Sequence, residues 1–274
     1  MAVPTFSIVT PSFNVRPFLW QCLSSVAAQD CRDFEHIVVD GASTDGTVEL
    51  LHSWQEYPIR WVSETDSGQS QALNKGFAMA QGEVIGWLNA DDLYEPWTIA
   101  GVLHHFQADP RLDLLYGLAL VVDGDGRFVR VAPQPRERMT DLYRFPNFLH
   151  QPAVFFRRSL FDRFGFLDES LYFALDYEYW LRIGRHVTAR FEPEIYARIR
   201  QRPGSKMADP GWRKFWREMR RCYLHHGGRR FSPMLLEHVL NRTIEYPIFM
   251  LTWPLRKLLW KLMDVPWGQP LRMR

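Results

Sequence analysis

Cysteine is scarce in this chain. Cys22, Cys31 and Cys222 are its only three, and they lie far apart with no ligand-like spacing. That excludes a disulfide framework or a cysteine-built zinc site and reads as reduced thiols in a cytoplasmic protein. No apolar run reaches the roughly 18 residues that a membrane-spanning helix needs. No leader segment is expected, because the first strand-like run begins at Phe6. Phosphate-binding glycine loops are missing as well: there is no GxxxxGK[ST], and no GxGxxG follows the first strand. A P-loop kinase or a nicotinamide dehydrogenase is therefore not indicated. The GxSxG elbow of Ser-His-Asp hydrolases is also absent. Charge of one sign is not in excess. Thirty-three basic residues face 31 acidic ones, for a net +2, so bulk electrostatics gives no pull toward nucleic acid.

What is present fits a globular enzyme. Hydrophobic residues make up 46% of the 274 and charged residues 23%, enough to bury a large core. Apolar runs alternate with segments of helical periodicity. Phe6–Thr10 reads as a strand that Pro11 ends, Pro17–Gln29 as a helix, Glu35–Asp40 as a strand, and Thr47–Trp54 as a helix. Ile59–Val62, Gln69–Ala80 and Val84–Leu88 continue the series as strand, helix and strand. Strand–helix alternation predicts an α/β fold with a Rossmann-like, mostly parallel sheet flanked by helices. Ligands of such sheets bind beyond the carboxyl ends of the strands. Thr10, Asp40, Asp66 and Asp91 all fall at or just after strand ends, which places them along one sheet edge.

The stretch Glu83–Pro96 carries the strongest chemical signal. A buried strand stops at Asn89, and two adjacent carboxylates follow, Asp91 and Asp92. Paired acids repel unless a cation or a shared proton sits between them. Oxygen ligands with open positions suit Mg²⁺ or Mn²⁺ when phosphates complete the shell. Capping of the helix that begins near Pro96 is the competing explanation. Asp45 in Gly41–Gly46 reads as the cap of the next helix. His104-His105 and His225-His226 read as surface or cap residues, since no acid stands at ligand spacing from the first pair and the second lies beside Gly227-Gly228.

Beyond Trp97 the alternation weakens. Trp97–Gln107 reads as a helix. Leu112–Val122 and Arg127–Val131 read as a hairpin turned by Asp123–Gly126. Ala153–Phe156 reads as a strand and Leu175–Gly184 as a helix. Arg198–Met207, basic and polar with Pro203-Gly204 inside, reads as a loop, and the chain is helical from Trp212.

An ordered set of motifs spans roughly Phe6 to Arg202. It comprises Thr10-Pro-Ser-Phe-Asn14, Val39-Asp-Gly-Ala-Ser-Thr-Asp-Gly-Thr47, Asp66-Ser-Gly68, Asn74-Lys-Gly76 and Trp87-Leu-Asn-Ala-Asp-Asp92. It continues with His150-Gln-Pro-Ala-Val-Phe-Phe156, Gly165-Phe-Leu-Asp-Glu169 and Leu175-Asp-Tyr-Glu-Tyr-Trp-Leu-Arg182. Together these resemble the family 2 inverting glycosyltransferases of GT-A fold. The resemblance implies a nucleotide diphospho-sugar donor, UDP-linked in most relatives, and transfer to an acceptor hydroxyl in polysaccharide, lipopolysaccharide or glycolipid synthesis. It places Thr10 and Pro11 at the nucleotide and Asp40 and Asp66 on its base or ribose. Asn74 and Lys75 fall on the donor side, and Asp91 and Asp92 at a Mg²⁺ or Mn²⁺ ion and the diphosphate, with Asp92 the principal metal ligand. Asp176 matches the catalytic base. His150, Gln151 and Glu178 fall on the acceptor side, with Glu178 a second candidate base.

Two positions depart from the family pattern. Ala72-Leu-Asn74 lacks an arginine that many relatives carry, and whether Lys75 replaces it stays open. Leu175-Asp176 replaces a Glu-Asp pair. Arg200 or Arg202 on the late basic segment would suit the diphosphate, since arginine makes bidentate phosphate contacts.

The expected organisation is a GT-A domain over 1–207, with a nucleotide-sugar half (1–96) and an acceptor half (97–207). A helical C-terminal region, 208–274, would follow. In that region Leu255, Leu258, Leu259 and Leu262 form one apolar stripe flanked by Arg256, Lys257 and Lys261. The stripe suits peripheral contact with an anionic membrane at its inner face, or else packing or dimerisation. Two other classes share the donor-site pattern. One is a nucleotide-sugar-binding protein without turnover. The other is a sugar nucleotidyltransferase, whose glycine-rich N-terminal loop is not seen.

Overall fold

The computed structural model describes residues 4–202, 204–206 and 212–235. Strands β1 (Phe6–Ser12), β2 (Phe34–Asp40), β3 (Ile59–Ser63) and β4 (Val84–Trp87) form a parallel set in the order β3-β2-β1-β4. Helices α1 (Arg16–Ala27), α2 (Thr47–Ser53) and α3 (Gln69–Met79) make the crossovers. All seven residues of β1 are buried, as expected for a central parallel strand covered on both faces. Alternation along the strands divides the core. Val9, Ile37 and Val39 pack with Leu73 and Phe77 of α3. Phe6 and Ile8 pack with Cys22 and Val26 of α1 and with Ile99, Val102 and Phe106 of α4 (Thr98–Ala108).

The second half extends the same sheet. Strand β8 (Val154–Arg157) lies antiparallel to β4, and β6 (Leu114–Val122) lies antiparallel to β8. β9 (Ala189–Arg200) runs parallel to β6 and pairs on its other side with the short β5 (Leu93–Tyr94). β7 (Phe128–Val131) hairpins back on β6, as its spacing predicts. Asp123 fixes that turn by accepting from the N–H groups of Asp125 and Arg127, both at 2.9 Å. Two short helices complete this half, α5 (Ser159–Phe164) and α6 (Leu175–Ile183). The architecture is the expected one, a mixed α/β sheet, mostly parallel in its first half and flanked by helices.

Two local readings need correction. Pro11 does not end β1, which continues to Ser12 opposite Asp40. β4 stops at Trp87, opposite Val9. Leu88 donates to the Val9 carbonyl at 3.1 Å, and Gly41 to that of Ser12 at 2.8 Å. By alternation the ring nitrogen of Pro11 faces the side where β4 has already left, so its missing N–H costs no ladder bond. Likewise Arg198–Arg200 close strand β9 instead of belonging to a loop. Polar alternation and Pro193 mask this strand in the sequence. Its charges are met across the fold, with Arg198 bidentate on Glu95 at 2.7 and 2.9 Å and Arg190 on Asp109 at 3.1 Å.

The helix that opens the C-terminal region, α7 (Trp212–His225), packs on α6. Met219, Cys222, Tyr223 and Met234 join the same core as α3 and α6. The leucine stripe at 255–262 lies outside the described residues. Among the described residues no helix is long and apolar enough to cross a membrane.

Gly76 sets how closely α3 approaches the sheet. A Cβ there would overlap Val9 Cγ1 and come within 3.3 Å of Val39 Cγ2. Helix propensity alone would make Gly76→Ala stabilising by about 1 kcal/mol. Against this packed sheet we expect the sign to invert, with a loss of about 1–3 kcal/mol from overpacking. Urea unfolding of the two proteins measures it, and a gain in stability would contradict the packing described.

Candidate functional site

Beyond the carboxyl ends of the parallel strands the chain encloses a cavity of about 890 Å³. One wall follows from β1 and the loops after β2, β3 and β4: Pro11, Ser12, Phe13, Gly41, Asp66 and Asn89 to Asp92. The facing wall comes from the second half, with Arg130, Pro133, His150 and Tyr172, and the return segment Ile199–Arg202 closes it with Lys206. Gly41 is required here, since a Cβ would meet Asp66 Oδ2 at 2.8 Å and the Phe13 ring at 3.2 Å. Asp66 holds its own turn by accepting from the Gly68 N–H at 2.9 Å.

The acid pair is held by the end of β9. Asp92, only 4% exposed, accepts the Arg200 N–H at 3.0 Å and the Asn89 side-chain amide at 3.1 Å. Burial, reinforced by the Asp91 charge, raises its pKa to about 7. Asp91 pairs with Arg202 Nε at 3.0 Å. Asp92 does not cap α4, whose preceding residue is Trp97. Among the described residues no three His, Cys, Asp or Glu side chains cluster as a metal cage. The acid pair offers two adjacent carboxylates to the cavity. That fits Mg²⁺ or Mn²⁺ held partly by substrate phosphates and water, the usual mode for such ions at phosphate sites.

A relay of side-chain amides runs beneath the acid pair; Gln69 and Asn89 line the cavity, whereas Gln151 lies behind them and does not. Asn89 Oδ1 accepts from Gln69 at 2.8 Å and from the Trp87 indole at 2.9 Å, while its amide donates to Gln151 at 2.8 Å. Gln151 in turn donates to the Trp87 carbonyl at 2.5 Å. Lys206 Nζ donates to Gln69 Oε1 at 2.6 Å and to the Tyr172 carbonyl at 3.0 Å. Burial lowers the Lys206 pKa to about 8 against the raising pull of Glu218 and Asp176.

Asp176 occupies the first turn of α6, partly buried, and does not act as the helix cap. Burial lifts its pKa to about 6, opposed by hydrogen bonds from the Tyr177 and its own backbone N–H and from Asn147, and by the Lys206 charge. The turn ahead of α6 is fixed from outside. The N–H groups of Tyr172, Phe173 and Ala174 converge on Glu218 Oε2 of α7 at 3.3, 2.7 and 3.2 Å.

Several expected residues have other occupations. The Thr10 hydroxyl is buried against His36 Nε2 at 2.8 Å, and the cavity begins one residue later, at Pro11. Asp40 is fully buried. It accepts from the Ser43 N–H at 2.9 Å and from the Ser43 and Ser63 hydroxyls at 2.5 and 2.6 Å, so it shapes the loop behind Gly41 and does not line the cavity. Asn74 clamps α3 to Leu167 and Glu169 at 3.0 and 2.9 Å, and Lys75 pairs with Glu64 on the surface. The residue that precedes α2 is Gly46, not Asp45; Asp45 stands one residue earlier and fixes the corner by accepting from the Thr47 N–H at 3.1 Å and from the Arg16 N–H at 2.9 Å.

Glu178 is bound by Arg182 at 2.6 Å and His226 at 2.8 Å; burial would raise its pKa, but these two contacts outweigh it and lower it. It is thus held in the α6–α7 contact, away from the residues that line the cavity. The Arg200 guanidinium is spent on the carbonyls of Asp91, Asp123 and Gly124 and on Gln21. His150 does line the cavity, with Nε2 2.6 Å from the Pro133 carbonyl, and burial lowers its pKa. Gln69, Asn89, Lys206, Tyr172 and Arg130 were not singled out from the sequence. For Asn89 the signal was available, as the residue that breaks the apolar run before the acid pair.

A mostly parallel α/β sheet with an acid pair at the switch from its parallel to its antiparallel part has the GT-A glycosyltransferase fold. TarS of S. aureus, residues 1–349 in complex with UDP-GlcNAc, superposes with a TM-score of 0.68 at 18% identity, covering 89% of this chain and 77% of that one. A mannosyltransferase of Pyrobaculum calidifontis in complex with GDP-Man and Mn²⁺ gives 0.59 at 20% identity, over 94% and 81%. The family model for glycosyl transferase family 2 matches residues 7–165, and the chain belongs to that family. A PGL/p-HBAD biosynthesis glycosyltransferase of Mycobacterium tuberculosis is 37% identical over 169 residues, 60% of this chain and 64% of the relative. An uncharacterized glycosyltransferase of Rickettsia typhi is 28% identical over 204 residues, 72% and 64%. The matched segment thus spans a little under two thirds of these curated relatives' length.

The two arginines at the cavity should separate on mutation. Arg200→Met removes a buried cation from four oxygen partners, so it should lower stability by about 3 kcal/mol or more. Arg202→Met should leave urea unfolding nearly unchanged and weaken nucleoside diphosphate binding, read by calorimetry. Equal stability losses in both variants would refute the division of roles.

Proposed function

We propose that this chain transfers a sugar from a nucleotide diphospho-sugar, UDP-linked, to an acceptor hydroxyl with inversion at the anomeric carbon. One observation carries the reading. The cavity holds an acid pair and two basic side chains, Arg202 and Lys206, on one wall, and Lys206 lies within electrostatic reach of the poised carboxylate Asp176. The solved neighbours in complex with UDP-GlcNAc and with GDP-Man support a nucleotide-sugar donor. The mycobacterial relatives' role in PGL/p-HBAD biosynthesis supports a carbohydrate or lipid-linked acceptor of the cell envelope.

In this reading Phe13 and Asp66 face the nucleoside, and Arg202 and Lys206 face the diphosphate. Asp91 and Asp92 would hold Mg²⁺ or Mn²⁺, which when bound offsets the charge of the departing diphosphate. Asp176 takes the acceptor proton as the acceptor oxygen bonds to the anomeric carbon and the bond to the diphosphate oxygen breaks, releasing nucleoside diphosphate. The pKa near 6 leaves Asp176 ionised at neutral pH yet basic enough to receive a proton.

A donor screen with Mg²⁺ and Mn²⁺ tests the whole reading. Nucleoside diphosphate release on addition of acceptor supports it. Pyrophosphate release identifies a nucleotidyltransferase instead, and binding without release under every acceptor identifies a binding protein. Asp92→Asn should remove metal-dependent donor binding with the circular dichroism spectrum intact; unchanged transfer in that variant, or in excess EDTA, would end the metal assignment.

Asp176→Asn should lower turnover by about 10² to 10⁴ and leave donor affinity unchanged. Below about pH 6 the Asp176 carboxyl is protonated and cannot act, so wild-type turnover should rise with pH through that value and level off above it. The stability sign is separate: a raised carboxyl pKa favours the fold at low pH and loses that contribution as pH climbs from the usual value of 3.8 toward 6. Asp176→Asn is therefore not expected to destabilise the protein at neutral pH. A pH profile that keeps its acidic limb in the variant would move the base elsewhere.

A further inference from the structure

Helix α7 has two unlike sides. Its inner side is in the core through Met219, Cys222 and Tyr223. Its outer side carries Lys214, Arg217, Arg220, Arg221 and His225, all exposed, and the turn that follows adds exposed Arg229 and Arg230. Glu218 is the only acid between 212 and 235, and it is turned inward onto the backbone ahead of α6. Among the described residues none of Arg217, Arg220, Arg221, Arg229 and Arg230 has a carboxylate partner. Unpaired cations on one helical face repel one another and persist only at some energetic cost. Beside them Phe231 is 99% exposed.

The undescribed segment 236–274 is a poor cover for this face. Its basic residues, among them Arg256, Lys257 and Lys261, outnumber its acids Glu237, Glu245 and Asp264. A second copy of the chain would bring the same positive face. The charge therefore calls for an anionic partner. The neighbouring sequence decides its kind: Phe231 is followed by the apolar runs Ile248–Trp253 and Leu255–Leu262, which suit a surface with an apolar layer beneath its charge. Nucleic acid offers no such layer.

The face also adjoins the cavity. Lys214 lies over the Tyr172 ring at 5.0 Å, Lys206 lies over the same ring at 4.4 Å, and Tyr172 is part of the cavity wall. We infer that the outer face of α7 seats the protein on an anionic lipid surface, with the cavity opening at Tyr172 beside that surface, and that the acceptor is an amphiphile held in the membrane. The acceptor half of this inference rests on the transferase reading, whereas the lipid-binding half stands without it.

The test uses the full chain, sedimented with phosphatidylcholine vesicles with and without about a third phosphatidylglycerol, in low and high salt. Each basic residue near an anionic surface strengthens binding about fivefold, so removing three weakens it about a hundredfold. The triple variant Arg217→Gln, Arg220→Gln, Arg221→Gln should lose that much vesicle affinity and keep nucleoside diphosphate binding, which shows that it folds. Wild-type binding should vanish without the anionic lipid and weaken with salt.

Undiminished vesicle binding by the triple variant overturns the proposal, and loss in Arg256→Gln, Lys257→Gln, Lys261→Gln alone would assign the contact to the tail. Tighter binding to an oligonucleotide than to anionic vesicles also overturns it. For the acceptor, turnover on a lipid-linked acceptor embedded in anionic vesicles should fall in the triple variant, while turnover on a short-chain soluble analogue should not. Equal losses on both acceptors would overturn the placement of the cavity at the membrane, even with vesicle binding confirmed.

Discussion

The Arg200 N–H donating to the Asp92 carboxylate at 3.0 Å holds this site together, because it fastens the last strand of the sheet to the end of the fourth. With β9 seated, the Arg200 guanidinium bridges three carbonyls and Gln21 behind the acid pair. Arg202 then arrives on Asp91 from the open side. Two adjacent carboxylates at a buried strand end are tolerable because backbone and guanidinium donors surround them. The pair is thus positioned by structure first and presented to the cavity second.

The same economy governs the two walls. The first half of the chain supplies strand ends and acids, and the second supplies an arginine, a histidine and a tyrosine from segments that cross to the antiparallel part of the sheet. The amide relay through Asn89 joins them, touching Gln69 on α3, Gln151 from the second half and Asp92 between. Because its members share hydrogen bonds, displacement of one is felt by the others. Lys206 reaches the relay through Gln69 and senses Asp176 electrostatically, which links the cavity floor to the first turn of α6.

How far the sequence could be read depends on the range of the interactions involved. The first ninety or so residues were legible because strand and helix periods are local, and because acids after strand ends fall on one edge by topology alone. Asp66, Asp91 and Asp92 reach the cavity as that reasoning expects, and His150 reaches it as the family resemblance implies. Thr10 does not, although strand parity alone separates its side chain from that of Pro11. Asp40, Asn74 and Glu178 do not line the cavity, and Arg200 lines it with its guanidinium already engaged, for a different reason. Each meets partners far off in sequence, such as Ser63, Leu167, His226 and Gly124, and no local pattern announces them. β9 was hidden because its charged residues find their counter-ions on other elements instead of on neighbouring turns.

The grip of Glu218 on the backbone ahead of α6 has a temporal side. The family match ends at residue 165, and the carboxylate that fixes the Asp176 turn is encoded 45 residues after Phe173, the nearest N–H it accepts. A chain emerging in order from the ribosome builds the sheet and the acid pair first. The turn that presents Asp176 gains its anchor only when α7 has been made and has docked. That turn therefore gains its last contact after the strands beneath the acid pair have been made.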